Sequence, residues 1–244
     1  MKINAEKIDY RQLNELIHQA LAAGEKEIIL DNVNGQRYIG DGLVSDVKIV
    51  VNGVPGNDLG AFMDGPSIVV NSNGQDGVGN TMNAGKIVVQ GSCGDILGHS
   101  MRGGKIFVRE NVGYRVGIHM KAYQESFPII IAGGEAGDFL GEYMAGGLII
   151  VLGLNSDAEE SIVGNYVGTG MHGGAIFIRG KIADYQLGKE VGVFQLDGSD
   201  KAKISPYLKE YCRDFNFNFK TIWKDKFVKL IPVSRRPYGK LYAY

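Results

Sequence analysis

The chain has 244 residues, a formal net charge of −1, 44% hydrophobic residues, 36 glycines and two cysteines. That length can bury a large core, while near-neutral charge excludes a general affinity for nucleic acid. No apolar run approaches the eighteen or so residues of a membrane span, and no charged segment followed by an apolar one opens the chain, so the reading is a cytoplasmic protein.

In chain order, Ile8-Asp9-Tyr10-Arg11-Gln12-Leu13 reads as a helix start with Asp9 as the cap. Leu13, Leu16, Ile17, Ala20 and Leu21 then form one apolar stripe at helical spacing, and Gly24 is placed to end the helix. Residues 27–31 read as a strand, Asn34-Gly35 as a turn, and residues 38–43 as the entry to a repeat. A half-matched copy follows, with Val44 where later copies carry Met and Ile49-Val50-Val51 as its strand.

From there one phrase recurs: an apolar residue, glycine, two variable residues, methionine. Its Gly/Met pairs are Gly60/Met63, Gly79/Met82, Gly98/Met101, Gly117/Met120, Gly141/Met144 and Gly168/Met171. The steps are 19 residues up to Gly117, then 24 and 27, so two insertions fall near residues 121–127 and 154–161. Each phrase is followed by a short β-branched run such as Ile87-Val88-Val89 or Ile176-Phe177-Ile178. A period near twenty marks an array of units that bury their cores by stacking. Nineteen residues is too short for helix-pair solenoids or propeller blades, which leaves an all-β solenoid: a parallel β-helix of about seven coils, with an N-terminal α/β cap and a C-terminal aromatic, basic tail. The Met column is expected in the interior and the glycines at the corners.

After Gly180 the phrase decays through Leu187-Gly188…Val191, read as a degenerate last coil. Ser205-Pro206 reads as a helix start leading into residues 207–213. Phe215, Phe217, Phe219, Trp223 and Phe227 follow, too many aromatics for a disordered tail. The expected division is 1–39 (helix and strand cap), 40–196 (parallel β-helix) and 197–244 (docking tail). Residues 201–244 hold 11 Lys+Arg against 3 Asp+Glu, leaving the first 200 at about −9, so a basic tail follows an acidic body.

Strand parity puts Val50, Val69, Val88, Phe107, Ile131, Ile150 and Phe177 outward in successive coils, an apolar ridge that marks an interface covered by the tail, by a partner, or by both. Val88, Phe107, Ile131, Ile150 and Phe177 are the candidate interface residues. The remaining chemistry is sparse. Gly168-Thr-Gly170-Met-His-Gly173 satisfies the dinucleotide fingerprint G-x-G-x-x-G but is one copy of the repeat. His99, His119 and His172 sit at three different offsets, so no metal-ligating column is expected. Asp76, Asp95 and Asp138 share one column with Asn57 and Asn165, and are expected to bond their own backbone in Asx-turns. Cys93 and Cys212 belong to no C-x-x-C pattern and read as plain thiols in a reducing compartment. No catalytic, cofactor-binding or metal-binding residue is assigned.

The spacing G-x-x-x-G-x-x-M-x-x-G, as in Gly94-Asp-Ile-Leu-Gly98-His-Ser-Met101-Arg-Gly-Gly104 and Gly164-Asn-Tyr-Val-Gly168-Thr-Gly-Met171-His-Gly-Gly174, resembles the GXGXG family. That family comprises the C-terminal domain of the glutamate synthase large subunit and one of the subunits of formylmethanofuran dehydrogenase. With the lead-in Ile29-Leu-Asp-Asn-Val-Asn-Gly-Gln-Arg-Tyr-Ile-Gly-Asp-Gly42 and the ending Arg236-Pro-Tyr-Gly-Lys-Leu-Tyr242, the chain is most similar to the free-standing glutamate synthase form. The resemblance implies a right-handed parallel β-helix serving as scaffold beside a glutamine amidotransferase subunit and an FMN-type synthase subunit, in a complex that makes glutamate from glutamine and 2-oxoglutarate. FMN and an iron–sulfur cluster are then expected on the partners and no cofactor here, since two lone cysteines cannot hold a cluster and Met1 is followed by Lys2 rather than by a catalytic cysteine. A scaffold of the same fold in a formylmethanofuran-dehydrogenase-like assembly is the second reading. An enzyme in its own right is the third, disfavoured because 19 is not a multiple of the acyltransferase hexapeptide and no groove of acids or bases is evident. Self-association into a homo-oligomer is left open.

Overall fold

A computed structural model of the chain describes residues 1–156 and 161–233. The ending Arg236–Tyr242 and part of the second insertion lie outside the described residues. After β1 (Lys2–Asn4), α1 (Tyr10–Ala22) begins where Asp9 Oδ1 accepts the N–H groups of Arg11 and Gln12, and it buries Leu13, Ile17 and Ala20. That face seats on the first strands and closes one end of the core.

The body is a stack of parallel strands: β2 (Glu27–Asn34), β3 (Lys48–Val54), β4 (Asp64–Val70), β5 (Ala84–Val89), β6 (Lys105–Val108), β7 (Ile129–Ala132), β8 (Ala145–Val151) and β9 (Gly173–Arg179). Ile49, Ile68, Ile87, Ile106, Ile130, Ile149 and Ile176 lie in one unbroken register, so neither insertion shifts the ladder. Met63, Met82, Met101, Met120, Met144 and Met171 fill the interior beside them, at no more than 1% exposure.

The stack makes about six turns, one fewer than the repeat count suggested. The reason lies at Leu187-Gly188. Gly188 still donates to the Val167 carbonyl at 2.8 Å, as a coil should, but the chain then leaves as β10 (Val191–Gln195). The place beside β9 is taken by β11 (Phe227–Pro232), which pairs antiparallel with both β9 and β10. A hairpin strand thus covers the open edge that a truncated solenoid would expose.

Between β10 and β11 lie α2 (Gly198–Phe215) and α3 (Phe219–Trp223). The first starts eight residues earlier than Ser205-Pro206 predicted. Asp197 and Asp200 form a reciprocal capping box there, and Pro206 sits inside the helix on its exposed side. No helix among the described residues is long and apolar enough to cross a membrane.

Candidate functional site: the coil corner and the surface it presents

Each Gly–Met phrase folds as a corner in which alternate residues are left-handed. In the coil of Gly98, Ile96, Gly98 and Ser100 have φ of 52°, 67° and 54°; in the next, Arg115, Gly117 and His119 have 57°, 69° and 56°. The middle position must be glycine for a second reason. A Cβ on Gly98 would lie 2.5 Å from Ile130 Cδ1, and one on Gly117 2.5 Å from Ile149 Cδ1. Each middle glycine also donates its N–H to the coil before it, Gly98 to Val78 and Gly117 to Leu97, both at 2.8 Å.

The flanking left-handed positions mostly carry side chains that sequence patterning does not connect: Asp58, Phe62, Thr81, Ile96, Ser100, Arg115, His119, Phe139, Tyr143 and Tyr166. Each such residue costs roughly 1–2 kcal/mol of backbone strain. Phe62 and Tyr166 are both 53% exposed and Tyr143 47%, His119 is also exposed, and Thr81 is buried. His119 stacks on Tyr143 with centroids 5.3 Å apart, and Phe139 on Tyr166 at 4.9 Å. Arg115 lies over the Phe139 ring at 4.5 Å and pairs with Glu142. The corner face is a ladder of aromatic and imidazole rings.

His99 and His119, at different offsets in their coils, are nevertheless neighbours with ring centroids 6.1 Å apart. Their offsets differ by one, and two imidazoles one coil apart reach each other across that difference. Burial, and next the field of His119, hold the His99 imidazolium below its usual range. His172 instead faces its own turn, Nδ1 3.2 Å from the Gly170 carbonyl. Among the described residues no three His, Cys, Asp or Glu side chains gather as metal ligands.

The aspartate column differs from expectation. Asp76 and Asp95 accept not their own backbone but the N–H one coil on, from Asp95 at 2.9 Å and Tyr114 at 2.8 Å, and Asp138 accepts from Asn165 at 2.7 Å. A coil spacing of about 4.8 Å places the next backbone within a short side chain's reach. These carboxylates are inter-coil staples. The G-x-G-x-x-G stretch leads into β9 rather than a helix, with Gly168 and Gly170 at φ +70° as corner residues.

Val88, Phe107, Ile131, Ile150 and Phe177 lie buried beneath the chain's own tail, in one cluster with Ile204, Leu208, Tyr211, Cys212, Phe215, Ile222 and Phe227. Val69 packs against its edge, while Val50 lies outside the cluster and stays half-buried. At this contact the charges run opposite to the expectation of a basic tail on an acidic body. Lys86 pairs with Glu210 at 2.8 Å and Asp214 at 2.6 Å, Lys105 with Glu210 at 2.7 Å, and Arg179 with Asp225 at 2.6 Å. Burial works to raise the Glu210 carboxyl, but hydrogen bonds from Lys105 and Lys86 outweigh it and hold the group low. Net charge of a segment does not say which of its residues face inward.

Comparisons with known proteins bear on the whole chain. The profile of the GXGXG motif family matches residues 28–233. A Methanocaldococcus jannaschii protein described as uncharacterized is 49% identical over 249 residues, covering 99% of this chain and 95% of that one. Among solved structures, a chain of the formyltransferase/hydrolase complex FhcABCD from Methylorubrum extorquens, crystallised with methylofuran, superposes with a TM-score of 0.64 at 17% identity, covering 96% of both chains.

Proposed function

Because the chain belongs to the GXGXG family, we propose that it is a non-catalytic structural subunit of a split, glutamate-synthase-like complex that makes glutamate from glutamine and 2-oxoglutarate. Its partners in that reading are an FMN-type synthase subunit and a glutamine amidotransferase subunit. FMN and the iron–sulfur cluster reside on them, and the assembly is cytoplasmic.

The observation that carries the scaffold reading is the corner face. Non-glycine residues are held at positive φ in coil after coil, and at four of these corner positions, Phe62, His119, Tyr143 and Tyr166, the ring is exposed, an arrangement that costs stability and that glycine would relieve. The His119–Tyr143 and Phe139–Tyr166 stacks return part of that cost, but Phe62 stacks on no ring among the described residues, and exposed aromatics are the residues interfaces favour. The glutamate synthase branch rests on the sequence of the lead-in from Ile29 to Gly42 and of the ending Arg236-Pro-Tyr-Gly-Lys-Leu-Tyr242.

A second reading, a scaffold in a formyltransferase/hydrolase-like assembly, is favoured by the superposition over 96% of both chains, a likeness of fold. One experiment separates the two. The tagged chain, purified from its native cells, is expected to bring down stoichiometric FMN and a glutaminase activity; a formyl-transferring partner without flavin would replace the first reading with the second. The isolated chain is expected to bind neither FMN nor NADPH nor metal, and stoichiometric loading of any of them would overturn the scaffold assignment.

A further inference from the structure

The tail sorts its charges. Beyond its helix cap, where Asp197 is exposed and Asp200 pairs with Lys229, its acids Glu210, Asp214 and Asp225 all pair with Lys86, Lys105 and Arg179 of the body. Its exposed cations Lys201, Lys203, Lys209, Arg213, Lys220, Lys224 and Lys226 pair with no acid among the described residues. The exposed positions of residues 201–226 are therefore predominantly basic in a protein whose net charge is −1. Within it lies a cleft of about 230 Å³ between α2, α3 and the start of β11. Lys201, Lys224 and Lys226 rim it, and Leu196, Trp223 and Phe227 supply apolar walls. The one acid at its edge, Asp225, is neutralised by Arg179 at 2.6 Å.

We infer that this face docks an acidic polypeptide segment of a partner protein, with a carboxylate side chain entering the cleft among the three lysines. Three lysines lining one small opening favour carboxylate charge, and the other exposed cations of the tail match further acids along the segment. The cleft has room for a side chain and no more than a short stretch of chain. Single-stranded nucleic acid fits less well. Trp223 is already stacked on Phe219, centroids 5.3 Å apart, so little ring face is free for a base. The acidic remainder of the body would also repel an extended polyanion beyond the tail.

Trp223 is the single tryptophan, so its emission reports directly on the cleft. The purified full-length chain is titrated at low ionic strength with an oligo-glutamate peptide and, in parallel, with succinate, inorganic phosphate and oligothymidylate. A saturable emission change is expected with the peptide, weakening as salt is added. Lys201→Glu/Lys224→Glu/Lys226→Glu should weaken it by at least about tenfold, the corresponding Gln triple variant less, and Lys2→Glu/Lys7→Glu not at all. Circular dichroism confirms that each variant is folded. The inference is overturned by no saturable binding to the folded wild type or by a Glu triple variant that binds as tightly. Succinate or phosphate saturating at the peptide's concentration would make this a small-anion site, and oligothymidylate binding as tightly would make it a general polyanion site. Peptide-independent self-association abolished by the triple variant would assign the face to a second copy of the chain. The titration needs no partner, so its failure would leave the subunit reading standing.

Discussion

The Tyr211 hydroxyl donates to the Val108 carbonyl at 3.1 Å, tying the C-terminal part of α2 to the strand β6 that it covers. Its ring meets Phe107 edge-on with centroids 5.7 Å apart, and a Cβ on Gly133 would lie 2.2 Å from its oxygen, so the site is shaped around it. Val108 also accepts the Gly133 N–H at 2.9 Å and stays satisfied if the hydroxyl is removed. Tyr211→Phe is thus expected to cost about 1 kcal/mol, and Tyr211→Ala about 3–5 kcal/mol, in urea unfolding. Equal costs would show that the ring contributes nothing to the docking.

The corner residues give predictions of opposite sign at two positions of the repeated phrase. Gly98→Ala must hold an L side chain at φ 67° and displace the Ile130 methyl, and should cost at least about 1–2 kcal/mol. Phe62→Gly relieves a residue at φ 57° that is 53% exposed. Relief of left-handed strain outweighs the entropy glycine adds to the unfolded chain, leaving the variant about 0.5 kcal/mol more stable. A clear loss of stability in Phe62→Gly would mean that the ring is retained for the fold rather than for a partner.

The interior is tested at Met101, which is fully buried. Emptying one place in a stacked column should cost about 2–5 kcal/mol for Met101→Ala, with a similar loss at Met82. A change below about 0.5 kcal/mol at both would contradict an interior column.

Both thiols and the Tyr211 hydroxyl are pushed up by burial, Cys93 to about 12. A folded value above the unfolded one contributes stability that is complete below the unfolded value and is lost as pH rises toward the folded one. Stability should therefore be flat near neutrality and fall from about pH 8.5 upward, by at most about 1.4 kcal/mol per pH unit for each group. Cys93→Ala should flatten the first part of that decline. A disulfide-exchange reagent at pH 8 should label Cys93 only as fast as the chain unfolds, and prompt labelling would place it at an accessible site.

What was legible in the sequence is what stacking repeats. The interior positions recur as one residue type, Met at one corner and Ile on the strands, because every coil meets the same neighbours above and below. The flanking corner positions escaped notice because Phe62, Thr81, Ser100, His119 and Tyr143 share a backbone angle and no side-chain chemistry. The pairing of Lys86 with Glu210 spans 124 residues and left no local trace, so the net charge of the tail suggested the wrong inward face. The helix start was misplaced because Ser205-Pro206 competes with a stronger cap, Asp197 with Asp200, just upstream.

The tail's place on the ridge gives the sharpest test of the architecture. Deleting residues 201–244 removes most of α2, all of α3 and the strand β11 that lies beside β9, so it uncovers Phe107, Ile131, Ile150 and Phe177 and opens a sheet edge at once. Raised dye binding and self-association are expected. Because a large deletion can fail for many reasons, single charges are more discriminating. Phe107 is fully buried with the Lys86 ammonium already 5.0 Å from its ring, so Phe107→Lys would place a second cation there without an acid of its own and should cost about 3–5 kcal/mol. Val50 occupies the equivalent position on β3, outside the tail's cluster and half-buried, and Val50→Lys can keep its ammonium in water. A lysine at this ridge position should therefore be severe under α2 and nearly silent three coils away. If both variants unfold at the same urea concentration as the wild type, the tail does not rest on the ridge in solution.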